Sequence, residues 1–342
     1  MAEEKQSIVL FPFMAQGHII PFLALALNLE QNSKNYNITI INTPHNIQKL
    51  EPSLPPNSQI KLLTIPFISS DHNLPPNTEN TDTVPYNLVI KLLQASLSLQ
   101  SPFKNIIKNI LTQQPQKHKL CIISDIFFGW TSIVAKELGV FHLVFSGCSG
   151  FGLACYYSLW MNLPHRFTNS DDFPLSDFPE ARLIQRNQLP NNISEADGFD
   201  DWSIFQRKNL SNWVNSDGIL FNSVSEFDSV GLNYFVKKLQ IPVWAIGPVV
   251  LSTGNGSRGK GGGINPKIWK SCEVKYEDIV EKIELVMSES GLKIRENACK
   301  IKDMIRNAVR DENEDGIKGS SVRGIDEFLS AAGKSNKVTL SE

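Results

Sequence analysis

The chain lacks any run of roughly 20 apolar residues, so nothing in it could span a bilayer as a helix. It also lacks a basic excess: 33 Lys and Arg face 35 Asp and Glu, for a net charge of −2. A nucleic-acid partner or an anionic membrane surface would call for clustered positive charge, and both are set aside. Its five cysteines, Cys121, Cys148, Cys155, Cys272 and Cys299, are odd in number and scattered, mostly within apolar runs. They form neither a disulfide framework nor a zinc pattern and point to a reducing compartment. The N-terminus Met-Ala-Glu-Glu-Lys-Gln is acidic and the apolar run after it is short, which argues against a signal peptide. A cytoplasmic protein acting on small molecules is the expectation.

Histidine is missing from the second half of the chain: all six lie at or before position 165. No second set of strand-like runs follows position 250 either. What is present comes before that point. Short apolar runs recur at 7–13, 38–43, 60–67, 120–124, 142–146, 218–222 and 243–247, several of them apolar on both faces. Helical patterns intervene at 21–31, 86–111, 129–138, 149–161, 201–215 and 226–239. Strands buried on both faces and alternating with helices predict an α/β fold with a doubly wound parallel sheet.

After Gly247-Pro248 the composition shifts. Residues 252–266 form a glycine-rich linker, followed by amphipathic helical patterns at about 276–288, 292–311 and 319–331. Their stripes are Ile279, Val280, Ile283, Val286 and Met287; Ile294, Ala298, Ile301, Ile305 and Ala308; and Val322, Ile325, Phe328 and Leu329. Each stripe needs a covering surface. The domain reading is therefore 1–250, a linker at 251–270, and a helical segment at 271–342.

Candidate chemistry centres on the first strand–helix connection. Ser7-Ile-Val-Leu-Phe-Pro-Phe13 runs into the turn Met14-Ala-Gln-Gly-His18, and ligands of open parallel sheets bind beyond the carboxyl ends of strands. Gly17 is the only glycine in that turn, so the three-glycine dinucleotide fingerprint is absent. His18 is placed to take a proton from a substrate hydroxyl if a carboxylate holds its far nitrogen. Asp125, ending Leu120-Cys-Ile-Ile-Ser-Asp125, is the candidate carboxylate. Each has an ordinary alternative: a loop histidine as polar surface, an aspartate as a helix N-cap.

Two further motifs fall short. Gly254-Asn-Gly-Ser-Arg-Gly-Lys260 begins like a phosphate loop, but Gly261 stands where Ser or Thr is required. Gly147-Cys-Ser-Gly150 approaches a nucleophile elbow, but Phe151 stands in place of its last glycine, and a strand-to-helix turn is the expectation.

Taken together, Phe11-Pro-Phe-Met-Ala-Gln-Gly-His-Ile-Ile-Pro21, Ser124-Asp-Ile-Phe-Phe-Gly-Trp-Thr131, Ile219-Leu-Phe-Asn-Ser-Val-Ser-Glu-Phe227 and Ala245-Ile-Gly-Pro248 resemble the N-terminal half of plant UDP-glycosyltransferases. The resemblance covers about residues 5–250. It implies a Rossmann-like acceptor domain of the glycosyltransferase-B type and transfer of a sugar to a small-molecule hydroxyl with inversion. It implies His18 as general base and Asp125 as its orienting partner. Phe127, two residues after the aspartate, is implied to meet the acceptor, and Ser146 to lie near the transferred sugar. Tyr86, Phe127, Phe128, Trp160 and Phe205 are candidate walls for a phenolic or terpenoid aglycone, with core filling as the alternative for each.

One departure is large. Similar enzymes carry a donor-binding box that begins Trp-Ala-Pro-Gln and includes His-Cys-Gly-Trp-Asn-Ser, and neither string occurs here. Ser271-Cys-Glu-Val-Lys-Tyr-Glu-Asp-Ile-Val280 and the helices after it resemble the family's terminal segment, whose last helix crosses back onto the first domain. The expectation is loss of most of the donor domain, with a junction near 266–270. No cofactor is expected; the UDP-sugar would be a co-substrate whose main site is missing. Activity is expected to be impaired, with an acceptor-binding remnant or an unstable protein as alternatives. The sequence does not set the oligomeric state.

Overall fold

The computed structural model describes residues 5–32, 35–113, 120–251, 275–311 and 316–334. The expected linker from 252 onward, its junction, and the phosphate-loop-like string lie outside the described residues.

Nine strands are described. β1 (Gln6–Phe11), β2 (Tyr36–Asn42), β3 (Lys61–Thr64), β4 (Leu120–Asp125), β5 (Phe141–Ser146), β8 (Gly218–Phe221) and β9 (Val243–Ala245) form one seven-stranded sheet. The other two, β6 (Asp172–Pro174) and β7 (Leu183–Gln185), pair antiparallel as a separate small sheet. Every pairing in the large sheet is parallel, and its order is β3-β2-β1-β4-β5-β8-β9. The chain thus winds outward from β1, returns to place β4 beside β1, and winds outward the other way. The strand order reverses between β1 and β4, which is where such sheets open a ligand crevice.

Side chains on a strand alternate between faces, and on the central strands β1, β4, β5 and β8 both faces are buried. Ile8 and Leu10 of β1, with Cys121 and Ile123 of β4, face one layer. There they meet Phe22, Leu25 and Leu29 of α1 (Gln16–Asn32). Val9, Phe11 and Ile122 face the other layer, against Phe103 and Ile107 of α4 (Gln100–Thr112) and Val134 of α5 (Trp130–Leu138). Val144, Ile219 and Phe221 continue that second face. They pack under α6 (Gly150–Asn162) and α9 (Ser225–Leu239).

The pattern at 86–111 is not one helix. It splits into short turns around α3 (Val89–Ala95), a 3-10 stretch over Ser96–Leu99, and α4. Pro102 in the first turn of α4 has no N–H for the preceding turn, so the chain tightens there before continuing. The run at 60–67 likewise pairs only over Lys61–Thr64 and ends before Pro66. Also present are the short helices α2 (Pro44–Leu50) and α7 (Asn191–Ser194), and α8 (Asp201–Ser211), which lies against α6 and α3.

The three C-terminal helices are α10 (Tyr276–Met287), α11 (Leu292–Ala308) and α12 (Ser320–Lys334). They have different fates. α12 returns to the sheet: Phe328 and Ala332 are fully buried in the α1-side core, and the Ser321 hydroxyl donates to the Gly247 carbonyl. A Cβ built on Gly324 would lie 2.5 Å from the Ala245 carbonyl oxygen, so only glycine permits this closeness. α10 and α11 bury almost nothing: no residue of α10 is buried and only Ala308 of α11 is.

Candidate active site

His18 sits in the first turn of α1, one connection beyond the end of β1, and Asp125 is the last residue of β4. β1 and β4 are paired in register, Leu10 with Ile123 and Phe11 with Ser124. The register alone therefore brings the two groups to the same edge. His18 Nδ1 and Asp125 Oδ2 are 2.8 Å apart. The carboxylate is buried, at 1% exposure, while the imidazole keeps 26%. With Nδ1–H donated to the carboxylate, the neutral ring carries its lone pair on Nε2, the atom a substrate hydroxyl would meet.

Electrostatics follow from this placement. Burial works against the imidazolium, but the charge of Asp125 and its hydrogen bond outweigh it and hold the His18 pKa above the usual 6.5. The other carboxylate oxygen, Oδ1, accepts from the Phe127 N–H at 3.0 Å, which fixes the carboxyl plane. Two rings flank the imidazole: Phe127 at 5.1 Å between centroids and Phe13 edge-on at 5.6 Å. These rings are themselves edge-to-face at 5.2 Å. The result is a half-open basic nitrogen between aromatic walls.

The turn that carries Asp125 and Phe127 is clamped from α8. Asn209 Nδ2 donates to the Ile126 carbonyl at 2.7 Å, and its Oδ1 accepts from the Gly129 N–H at 2.7 Å. Trp213 Nε1 donates to the same carbonyl at 3.1 Å. A Cβ on Gly129 would lie 2.2 Å from the Asn209 backbone oxygen, so this approach needs glycine. On the other flank, Asn80 donates to Asn46, Asn46 donates to the Glu79 carbonyl, and the Thr81 N–H donates to Met14 O, holding residues 79–81 over the first turn. Sequence reasoning did not find Asn209, Trp213 or this asparagine set, because each acts on backbone atoms distant in the chain. Nor did it single out Phe13, although that residue lies inside the motif that carries His18.

The remaining candidates divide. Gly17 borders open space: a Cβ there would meet nothing within 4 Å. Phe127 is beside the imidazole as described. Ser146 ends β5, but its hydroxyl turns into the following loop, donating to the Cys148 carbonyl and accepting from the Cys148 N–H, both at 3.2 Å. Tyr86 is half exposed and its hydroxyl donates to Asn192 Oδ1 at 3.0 Å. Trp160 departs from the expectation of a pocket wall. It is fully buried in the core beneath α6, stacked with Trp202 at 6.4 Å, because its position on α6 points toward the packed side of that helix. Phe128, stacked on Phe11 at 4.4 Å, and Phe205 also fill the core. The Gly147–Gly150 string is a strand-to-helix turn, capped by the Ser149 hydroxyl accepting from Gly152 N–H and by Asp228 accepting from Gly150 and Phe151. A cleft of about 330 Å³ between α9, β9 and α12, lined by Glu226, Trp244 and Arg323, is a separate place from the dyad. Among the described residues no cluster of His, Cys, Asp and Glu could hold a metal ion. No described helix is long and apolar enough to cross a membrane.

A buried carboxylate orienting an imidazole at the switch point of a doubly wound sheet defines a class of α/β sites suited to removing a hydroxyl proton. Comparison with known proteins narrows it. No family model matches the chain. The chain is 50% identical over 260 residues to UDP-glycosyltransferase 92A1 of Arabidopsis thaliana, covering 74% of this chain and 53% of that protein. It is 44% identical over 259 residues to Crocetin glucosyltransferase 3 of Crocus sativus, covering 75% of this chain and 54% of that one. Among solved structures, UGT73P12 of Glycyrrhiza uralensis, complexed with glycyrrhetinic acid 3-O-monoglucuronide, superposes with a TM-score of 0.59 at 25% identity, over 72% of this chain and 49% of that one. Phytolacca americana UGT2, complexed with UDP-2fluoro-glucose and pterostilbene, shares the fold at a TM-score of 0.56 and 17% identity, over 74% and 56%. Over this matched stretch the chain belongs to the plant UDP-glycosyltransferase family. It spans about half the length of the relatives it matches.

Proposed function

We propose that this chain is the acceptor-binding half of a UDP-sugar-dependent O-glycosyltransferase acting on a hydroxyl of a plant small molecule. The observation that carries the reading is the 2.8 Å contact of His18 with buried Asp125, in a chain 50% identical over 260 residues to a plant UDP-glycosyltransferase. In this reading the acceptor lies against Phe13 and Phe127 with its hydroxyl at His18 Nε2. The imidazole takes the proton as the acceptor oxygen attacks the anomeric carbon, the bond to the UDP oxygen breaks, and the configuration inverts. Asp125 stabilises the imidazolium as it forms. Gly17 leaves room beside the base, and Ser146 shapes the neighbouring loop.

The charge that develops on departing UDP needs preorganised donors, and electrostatic stabilisation of this kind is usually the largest catalytic contribution. The residues after 250 contain neither donor-box string and no histidine. This favours a second reading, in which the chain holds an aglycone without turning it over. Titration calorimetry separates the two. UDP-glucose binding at micromolar affinity, with glucosyl transfer abolished by His18→Ala, supports the transferase. Aglycone binding with no UDP-glucose heat supports the acceptor half alone. Heat from neither ligand rejects both.

A further inference from the structure

The aromatic wall beside His18 does not end at Phe127. Phe127 and Trp202 each pack against two core clusters, the one that holds Phe11 and the one that holds Trp160. Trp202 stacks on Trp160, and Tyr156, one turn earlier on α6, stands edge-on to Trp160 at 6.1 Å.

At this far end polar atoms lack partners. Gln206 lies on α8 one turn before Asn209, which clamps the turn carrying Asp125 and Phe127. Its side chain is fully buried, yet neither the amide nitrogen nor the amide oxygen has a hydrogen bond, and the buried Trp160 Nε1 has none either. Native interiors seldom leave such groups unpaired. The Tyr156 hydroxyl lies close enough to both for each to offset part of the burial that raises its pKa, without a hydrogen bond closing on either.

That hydroxyl belongs to the same crevice as the dyad. Tyr156 keeps part of its surface exposed although, like His18, it lies deep, so it faces a recess rather than open solvent. Cys148, in the loop after β5, joins the two places. Burial and then the charge of Asp125 raise its pKa, and its own charge, with that of Tyr86, adds to what burial does at Tyr156.

We propose that Tyr156, backed by Gln206 and Trp160, is a second anchor in the acceptor crevice and selects aglycones with two oxygen functions. One oxygen meets His18; the other, at the far end of a flat ring system, meets the Tyr156 hydroxyl and the Gln206 amide. This rests on the reading that an aglycone binds beside His18. Tyr156 touches no reacting atom and sets specificity alone. A site built to hydrogen-bond a substrate oxygen rejects the analogue without it, because its own polar groups are then left unpaired.

Titration calorimetry on the full chain tests this with matched phenols: biphenyl hydroxylated at one end against biphenyl hydroxylated at both, and the same pair built on the longer stilbene. The parent should bind the doubly hydroxylated member of at least one pair at least about tenfold more tightly. Tyr156→Phe keeps the ring and should abolish that preference, leaving the affinity for the singly hydroxylated member within about twofold. It should also melt with the parent, since it breaks no hydrogen bond of the fold. Gln206→Leu should lose the same preference and melt no lower than the parent, because it removes an orphaned amide. Equal affinity within both pairs overturns the proposal and leaves the acceptor-half reading standing, whereas binding of no phenol at all removes both. A preference that survives both substitutions, or two variants that melt below the parent, assigns these groups to the core and overturns the proposal as well.

Discussion

Replacing Asp125 by Asn keeps the shape of the side chain and removes its charge, and the structure fixes what should follow. In the parent, Asp125 is 1% exposed and 2.8 Å from His18 Nδ1, and the His18 pKa is held above 6.5. A group whose folded pKa is raised adds stability that is fully present below its unfolded pKa and fades as pH rises through the folded value. His18 therefore stabilises the parent most below pH 6.5 and progressively less above it. In the variant only burial remains to act on the ring, and burial lowers its pKa; the sign of the contribution reverses, and protonation now opposes folding. A hydrogen bond to a charged group is worth about 1.5–3 kcal/mol, and the 26% exposure of the imidazole places this one toward the lower figure. Urea unfolding of both proteins at acid, neutral and mildly alkaline pH should show the variant losing about 1.5–2 kcal/mol at the acid end. The difference should shrink as pH rises. Following the His18 Cε1–H by NMR should show titration above 6.5 in the parent and below it in the variant. A parent His18 that titrates below 6.5, or a deficit independent of pH, would refute the electrostatic account of the dyad.

Three other substitutions probe different parts of the argument. Asn209→Ala deletes one donor and one acceptor buried at the turn after Asp125, and should cost about 2–3 kcal/mol of unfolding free energy by urea titration. Phe328→Ala empties a fully buried site on α12 and should cost about 3–5 kcal/mol, with amide exchange rising first in α12 and β9. Gly17→Ala meets open space and should leave the melting temperature unchanged, while aglycone heat in calorimetry should fall if the acceptor lies beside His18.

The sheet was legible because buried parallel strands read as short apolar runs, and all seven appear where such runs stand. Their ends were less legible: Pro66 and Pro102 cut elements that hydrophobic spacing alone would extend. The two-stranded β6–β7 sheet escaped because three-residue strands leave no period to detect. His18 and Asp125 could be named from their places at strand ends, since parallel topology decides which ends converge. The clamp by Asn209 could not, because an asparagine among helix residues carries no mark of the carbonyl it reaches some 80 positions away. Trp160 shows the opposite limit: an aromatic in a helix beside a site reads as a wall, and only packing reveals that it faces inward.

The 107-residue separation of His18 and Asp125 is spanned by strand register rather than by loops. The register of β1 on β4 thus sets the distance between imidazole and carboxylate, and a change that slips one strand along the other by a single residue would part them with both side chains intact.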